Sequence, residues 1–158
     1  MDNTNLIGLN PEKAHGLAEG LNDLLANYQL FYMNVRGYHW NIKGDKFFEL
    51  HVKFEELYNN LVLKIDEIAE RVLTLGYTPM HAYEDYLKTS SIHANKNTSD
   101  GKECVKSIVN SFQIVIEKQR HLLRLSAELE DEGTNALMSD YIREQEKLVW
   151  MYASFLDA

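Results

Sequence analysis

Cysteine, proline and long apolar runs are scarce in this chain of 158 residues, and each absence excludes a class of protein. The single cysteine, Cys104, excludes an internal disulfide framework and any CxxC site. No run of about 18 apolar residues occurs, so we expect no membrane span. The N-terminal residues have neither the basic nor the apolar region of a signal peptide. The sequence therefore predicts a soluble cytoplasmic protein, with a single domain over residues 1–158.

Positive charge is also in short supply. The chain has 16 Lys and Arg residues against 24 Asp and Glu residues, which gives a formal net charge of −8 and a pI of about 5.2. No Lys or Arg precedes Lys13. Binding to DNA by neutralising its phosphates is therefore disfavoured, whereas cationic partners, metal ions among them, are favoured. With 45% hydrophobic and 25% charged residues, the chain is expected to be globular.

Apolar residues at helical spacing mark four long segments, at residues 11–42, 46–75, 101–129 and 135–156. Asn10 followed by Pro11 is typical of a helix start, and Gly76 is typical of a helix end. Thr134 is expected to cap the fourth helix. In the long connection after the second segment, a short helix is predicted over residues 82–87. These features predict an all-α four-helix bundle with one crossover.

Two histidines and three carboxylates form the most informative pattern of the chain, H-x11-H-x3-E-x10-D-x3-E. They are His39, His51, Glu55, Asp66 and Glu70. Imidazole and carboxylate are ligands that suit iron, and residues four apart share one face of a helix. Glu55 and Asp66, however, lie roughly 16 Å apart on one straight helix. If all five residues serve one metal site, its two halves must meet through a second copy of the chain.

The second segment has a third face beside its apolar and charged ones. The four ligand candidates on this segment, His51 to Glu70, lie between the apolar stripe and the charged side of the helix. Lys64 is assigned to the charged side. Val62 and Ala69 share the third face, and Leu63 borders it. A partly apolar face that carries histidine and carboxylates is typical of packing against another chain. The alternative interpretation is that the carboxylates are ordinary surface acids and that the histidines are capping or packing residues.

Three blocks of this sequence resemble the Dps family, the mini-ferritins that protect DNA during starvation. They are H-W-N-I-K-G at residues 39–44, F-F-E-L-H at residues 47–51 and D-E-I-A-E-R at residues 66–71. The similarity extends over nearly the whole chain. It implies a ferritin-like four-helix bundle whose long crossover carries a short helix, and a homo-oligomer that forms a hollow dodecamer.

The resemblance also implies a function. Family members are ferroxidases that oxidise Fe(II), preferentially with hydrogen peroxide, and store the Fe(III) mineral inside the shell. Their two-iron site lies at a two-fold dimer interface, and its ligands match His39, His51, Glu55, Asp66 and Glu70 in type and spacing. The histidines and Glu55 would come from one subunit and the other two carboxylates from its mate. Many relatives have Asp at the position of Glu55, which is a conservative departure.

Two other functions fit parts of the pattern. One is a structural, DNA-compacting nucleoid protein with a vestigial site. Many DNA-binding relatives carry a lysine-rich N-terminal tail that this chain lacks, so we expect weak or absent DNA binding. The other is a di-iron oxygenase with its site inside one bundle, which usually requires a pair of Glu-x-x-His motifs, and no such pair is present. The acidic turn at residues 128–132 is interpreted either as solvated surface or, as the family suggests, as the lining of a pore that admits iron.

Overall fold

The computed structural model describes residues 4–157 and contains five helices in that range. In chain order they are α1 (Pro11–Asn41), α2 (Phe47–Thr74), α3 (Tyr83–Thr89), α4 (Gly101–Glu128) and α5 (Glu132–Leu156). Helix α1 packs against α2, α4 packs against α5, and α1 joins the two pairs through its contacts with α4. The short α3 lies on the connection from α2 to α4 and contacts α1. The predicted four-helix bundle with one crossover is therefore confirmed.

The residues predicted to begin α1 and to end α2 act as expected. Asn10 caps α1, because its side-chain oxygen accepts the backbone N–H of Lys13 at 3.2 Å. At the end of α2, Gly76 adopts a positive φ of 94°. This left-handed conformation lets the N–H of Tyr77 reach back to the carbonyl of Val72 at 3.1 Å. Glycine adopts this conformation without the steric penalty that a side chain would add.

The predicted start of the last helix is wrong. Helix α5 begins at Glu132, and its N-cap is Asp131 rather than Thr134. The Asp131 carboxylate accepts both the backbone N–H of Thr134, at 3.1 Å, and its hydroxyl, at 2.6 Å. Asp131 also receives the guanidinium of Arg71 at 2.7 Å and is buried. Because Arg71 comes from α2, this tertiary partner of the cap is not visible in the local sequence.

Three asparagines of α1 hold the long connection against the bundle. Asn22, Asn27 and Asn34 each use a side-chain oxygen to accept backbone N–H groups from this segment. The donors are Met80 to Asn22, Ser91 and Ile92 to Asn27, and Asn95 to Asn34. The connection has little regular structure of its own, so these bonds satisfy backbone groups that the surrounding core would otherwise leave unpaired.

An uncharged hydrogen-bonded triangle occupies the interior of the bundle. Tyr28, Gln119 and Gln145 come from three different helices and are fully buried. The Tyr28 hydroxyl donates to Gln119 at 2.5 Å and accepts from Gln145 at 2.6 Å, and Gln119 donates to Gln145 at 2.7 Å. The three groups satisfy one another without a carboxylate or a histidine. This arrangement argues against a di-iron site in this part of the bundle.

The assignment of Lys64 to the charged, solvent-facing side of α2 is wrong. Lys64 is only 4% exposed. Its ammonium donates to Asn60 and to Glu144, both at 2.9 Å, and lies 5.1 Å from the centre of the Tyr141 ring. Helix α5 supplies Glu144 and Tyr141, which cover this side of α2. Among the helices described here, none combines the length and the apolar character that crossing a membrane requires.

Candidate metal centre

The last turn of α1 and the first turns of α2 bring His39 and His51 into contact. Their rings stack with centroids 3.8 Å apart and planes 13° from parallel. Each ring also bonds to the backbone of the other residue. Nδ1 of His39 lies 2.7 Å from the carbonyl oxygen of His51, and Nδ1 of His51 lies 2.7 Å from the carbonyl oxygen of His39. The two histidines that lie twelve positions apart in the sequence thus form one unit.

This reciprocal bonding fixes the tautomer of both rings. A carbonyl oxygen only accepts hydrogen bonds, so each Nδ1 must carry a proton and donate it. In a neutral imidazole the other nitrogen, Nε2, then keeps its lone pair. Histidines that bind metals commonly donate their second ring nitrogen to a carbonyl or carboxylate in this way. In its neutral form each ring therefore has the tautomer that leaves Nε2 available to a metal ion.

Two aromatic residues that the sequence analysis did not single out also contact these rings. Phe47 stacks on His51 with centroids 5.0 Å apart, and the Tyr58 ring meets His39 edge-on at 5.2 Å. The contact between Phe47 and His51 could have been predicted from their spacing of four, since residues four apart are neighbours on a helix. Trp40, beside His39, is 59% exposed, and the Arg36 guanidinium lies 5.0 Å from its ring.

The three candidate carboxylates lie on the exposed surface of α2. Glu55, Asp66 and Glu70 are all exposed, and their side chains form no ion pair or hydrogen bond within residues 4–157. Other acids on the helix do have partners, such as Glu56, which pairs with Lys53 at 2.8 Å. The candidate set is thus solvent-accessible and uncompensated, which leaves its oxygens available to a cation.

One chain does not bring all five candidates together. Within the described residues, no group of three or more His, Cys, Asp or Glu side chains is close enough to hold a metal ion. The structure joins His39 to His51 but leaves Asp66 and Glu70 farther along α2. This agrees with the spacing of roughly 16 Å along the helix between Glu55 and Asp66.

The same side of α2 exposes large apolar residues. They are Phe48, Val52, Val62, Leu63 and Leu73, with exposures from 39% for Val62 to 81% for Phe48. Single exposed apolar residues are ordinary, but several along one helix are typical of an interaction surface. The expected third face of α2, with Val62 on it and Leu63 at its border, is therefore present as an exposed mixed surface.

Comparison with known proteins assigns the chain to a family. The family model of the ferritin-like domain matches residues 18–158. The crystal structure of Dps from Vibrio cholerae has 57% sequence identity and a TM-score of 0.96, covering 99% of this chain and 98% of that one. The chain belongs to the Dps family. The Vibrio protein is itself described as a member of a broad superfamily of ferritin-like diiron-carboxylate proteins.

Two other proteins are similar to this chain over almost their full length. The DNA protection during starvation protein of Porphyromonas gingivalis is 38% identical, over 94% of this chain and 93% of that protein. An uncharacterised protein of Haemophilus influenzae is 54% identical, over 92% of this chain and 91% of its own. The similarity to Dps proteins therefore extends over nearly the whole chain.

Two further groups of this Dps chain are accounted for by packing. In the acidic turn at residues 128–132, Asp131 caps α5 and pairs with Arg71, so it is not available to line a pore. Glu128, Glu130 and Glu132 remain exposed. Cys104 is fully buried, and burial raises the pKa of its thiol to about 12. Because the thiolate is the form that reacts or binds metal, Cys104 is a packing residue.

Proposed function

We propose that this Dps chain is a ferroxidase that oxidises Fe(II), preferentially with hydrogen peroxide, and stores the Fe(III) product as mineral inside a hollow dodecamer. The proposed site is shared between two subunits. His39 and His51 of one chain would hold one iron together with Asp66 and Glu70 of the second, and Glu55 would help to hold another iron more weakly. Iron is both the substrate and the stored product.

The observation that carries the proposal is the state of the two histidines. Their Nδ1 atoms are committed to backbone carbonyls at 2.7 Å, so their Nε2 lone pairs are the unshared donors of the pair. Two imidazoles supply only part of a coordination shell. The remaining donors suited to iron are carboxylate oxygens. On α2, Glu55, Asp66 and Glu70 are exposed acids whose side chains have no partner among residues 4–157.

A simple symmetry argument supports sharing between two chains. When two copies of one helix pack antiparallel about a two-fold axis, the numbers of facing residues have a constant sum. His51 with Glu70, and Glu55 with Asp66, each add to 121. The same sum places Phe48 opposite Leu73, Val52 opposite Ala69, and Tyr58 opposite Leu63. One register thus completes the metal site and covers the exposed apolar residues as well.

This register also sets the spacing of the sites. The axis would pass midway between positions 60 and 61 of α2, and each dimer would contain two equivalent sites. The midpoint of His51 and Glu55 lies about 11 Å from the axis along the helix at 1.5 Å per residue, so the two sites would be roughly 22 Å apart. This separation leaves the central turns of both helices free for apolar contact.

The proposed chemistry balances with water as the only other reactant. Two Fe(II) ions lose one electron each, and hydrogen peroxide takes both electrons and two protons from water to leave as two water molecules. Hydrolysis of the two Fe(III) ions to an oxyhydroxide mineral releases six protons, so four protons go to the solvent for each peroxide consumed. Removing Fe(II) and peroxide together suppresses the one-electron reaction that makes hydroxyl radicals. Protection of DNA would then follow from this chemistry in the cytoplasm, with weak or absent DNA binding. A dodecamer would carry about −96 from its formal charges, which repels phosphate.

The double substitution His39→Ala with Asp66→Ala tests the site. We expect rapid Fe(II) oxidation by peroxide to disappear while the particle mass stays that of the parent, because the shell contacts come mainly from apolar surface. A matched control replaces an exposed histidine and an exposed carboxylate outside the proposed set, His121→Ala with Glu67→Ala. The assignment is wrong if the first variant oxidises Fe(II) as fast as the parent and the control.

A further inference from the structure

The His51 ring is enclosed between two flat rings. On one side lies His39, stacked at 3.8 Å between centroids, and on the other lies Phe47, at 5.0 Å with planes 15° from parallel. Phe47 is the first residue of α2, four positions before His51, so both side chains project from the same side of the helix. The imidazole therefore has no open face toward which its plane can tilt.

The His39 ring is held in a different way. One face contacts His51, and the edge-to-face contact with Tyr58 has centroids 5.2 Å apart and planes at 80°. Tyr58 is itself held in place, because its ring meets Tyr32 at 6.1 Å and lies 4.6 Å from the guanidinium of Arg36. A row of rings thus runs from Phe47 through the two histidines to Tyr58.

Hydrogen bonds alone leave one degree of freedom in each imidazole. A ring anchored through Nδ1 can still pivot about the Nδ1···O direction, and this motion swings Nε2 away from a metal ion. Flat aromatic neighbours oppose the pivot because it would require them to separate or collide. Ring pairs in these arrangements contribute about 0.5–1.5 kcal/mol beyond the area that they bury.

We propose that Phe47 and Tyr58 are positioning residues that hold the Nε2 atoms of His51 and His39 in the orientation that binds a metal ion. This inference rests on the proposed function of the histidine pair. Phe47 and Tyr58 supply no metal ligand in this role. They lower the cost of ordering the imidazoles, so their effect falls on metal affinity rather than on the electron transfer itself.

Leucine substitutions remove the flat ring and keep an apolar side chain, whereas aromatic substitutions keep the ring. The test variants are Phe47→Leu and Tyr58→Leu, and the matched controls are Phe47→Tyr and Tyr58→Phe. Each assembled protein is titrated with Zn(II), which binds histidine and carboxylate but cannot be oxidised. Calorimetry gives the affinity and the number of ions bound, and light scattering gives the particle mass.

We expect each leucine variant that keeps the parent mass to bind Zn(II) about three- to tenfold more weakly with unchanged stoichiometry, and each aromatic control to bind like the parent. In Fe(II) oxidation the leucine variants should show a raised KM with little change in kcat. Parent-like affinity in both leucine variants, or an equal loss in the aromatic controls, overturns the inference.

The same titration distinguishes this inference from the proposed function. If His39→Ala binds Zn(II) as the parent does, the histidine pair is not the metal site, and both proposals fail. If His39→Ala abolishes binding and the leucine variants leave it intact, only the positioning role fails. Should Phe47→Leu fail to assemble, Tyr58→Leu, which lies well inside α2, decides the outcome.

Discussion

Replacing Tyr28 by Phe should destabilise the fold by about 3–5 kcal/mol. The change removes the hydroxyl that donates to Gln119 at 2.5 Å and accepts from Gln145 at 2.6 Å. Each lost bond is worth about 1 kcal/mol, and the buried amide groups left without that partner add a desolvation cost of about 1–3 kcal/mol between them. All three residues are fully buried, so water does not take the place of the lost hydroxyl as a partner of the two amides.

Thermal unfolding at a fixed protein concentration measures this effect, with an expected fall in Tm of roughly 6–20 °C. Tyr83→Phe is the matched control, since Tyr83 is 80% exposed and should change stability by less than about 0.5 kcal/mol. Replacing the triangle entirely, by Tyr28→Phe, Gln119→Leu and Gln145→Leu, should recover most of the loss, because no buried polar group is then left unpaired. A Tyr28→Phe protein as stable as the parent would refute the reasoning, and loss of Fe(II) oxidation in it would contradict a purely structural triangle.

Three further outcomes follow from the structure. Cys104 should not react with a thiol reagent at pH 8 until the protein unfolds, and reaction in the native state would contradict this. Burial raises the pKa of the thiol from 9.0 to about 12. The stability that the protonated thiol contributes is therefore fully present below pH 9 and is lost as the pH rises toward 12. Duplex DNA should show no retardation in a gel-shift assay at 0.15 M salt, and retardation reversed by added salt would reveal a cationic surface. Leu63→Glu, which places a charge on a residue 66% exposed in the single chain, should reduce the particle mass measured by light scattering, and an intact shell would show that this face is not an interface.

Much of the fold was predictable because its signals are local. Asn10 and the turn at Gly76 act at helix ends through bonds between residues a few positions apart, and Pro11 suits the first helical position because its φ is fixed. The apolar spacing of each long helix reports which face is buried. The start of α5 was mispredicted because Asp131 is fixed by Arg71, sixty positions earlier. Lys64 was misplaced for the same reason, since its partner Glu144 is eighty positions away.

The sequence marks the candidate residues of the site but not the geometry of the histidine pair. Spacing of four marks pairs on one helix face, and the distance between Glu55 and Asp66 would require two chains if all five residues serve one site. The reciprocal bonds of His39 and His51 depend on how α1 turns into α2, and no pattern of residue types reports a bond from a ring nitrogen to a backbone carbonyl. Tyr58 reaches His39 for the same reason, through packing between two helices.

Mixing two inactive variants tests the shared site most directly. One variant, His39→Ala with His51→Ala, lacks the histidine half, and the other, Asp66→Ala with Glu70→Ala, lacks the carboxylate half. Both are unfolded together in equal amounts and reassembled, so that about half of the dimers contain one chain of each kind. If the site is shared, each mixed dimer regains one complete site, and Fe(II) oxidation should return to about a quarter of the rate of the parent treated identically. If the reassembled mixture proves to contain mixed dimers by mass spectrometry and yet remains inactive, the two halves do not meet across the interface and the proposed centre is wrong.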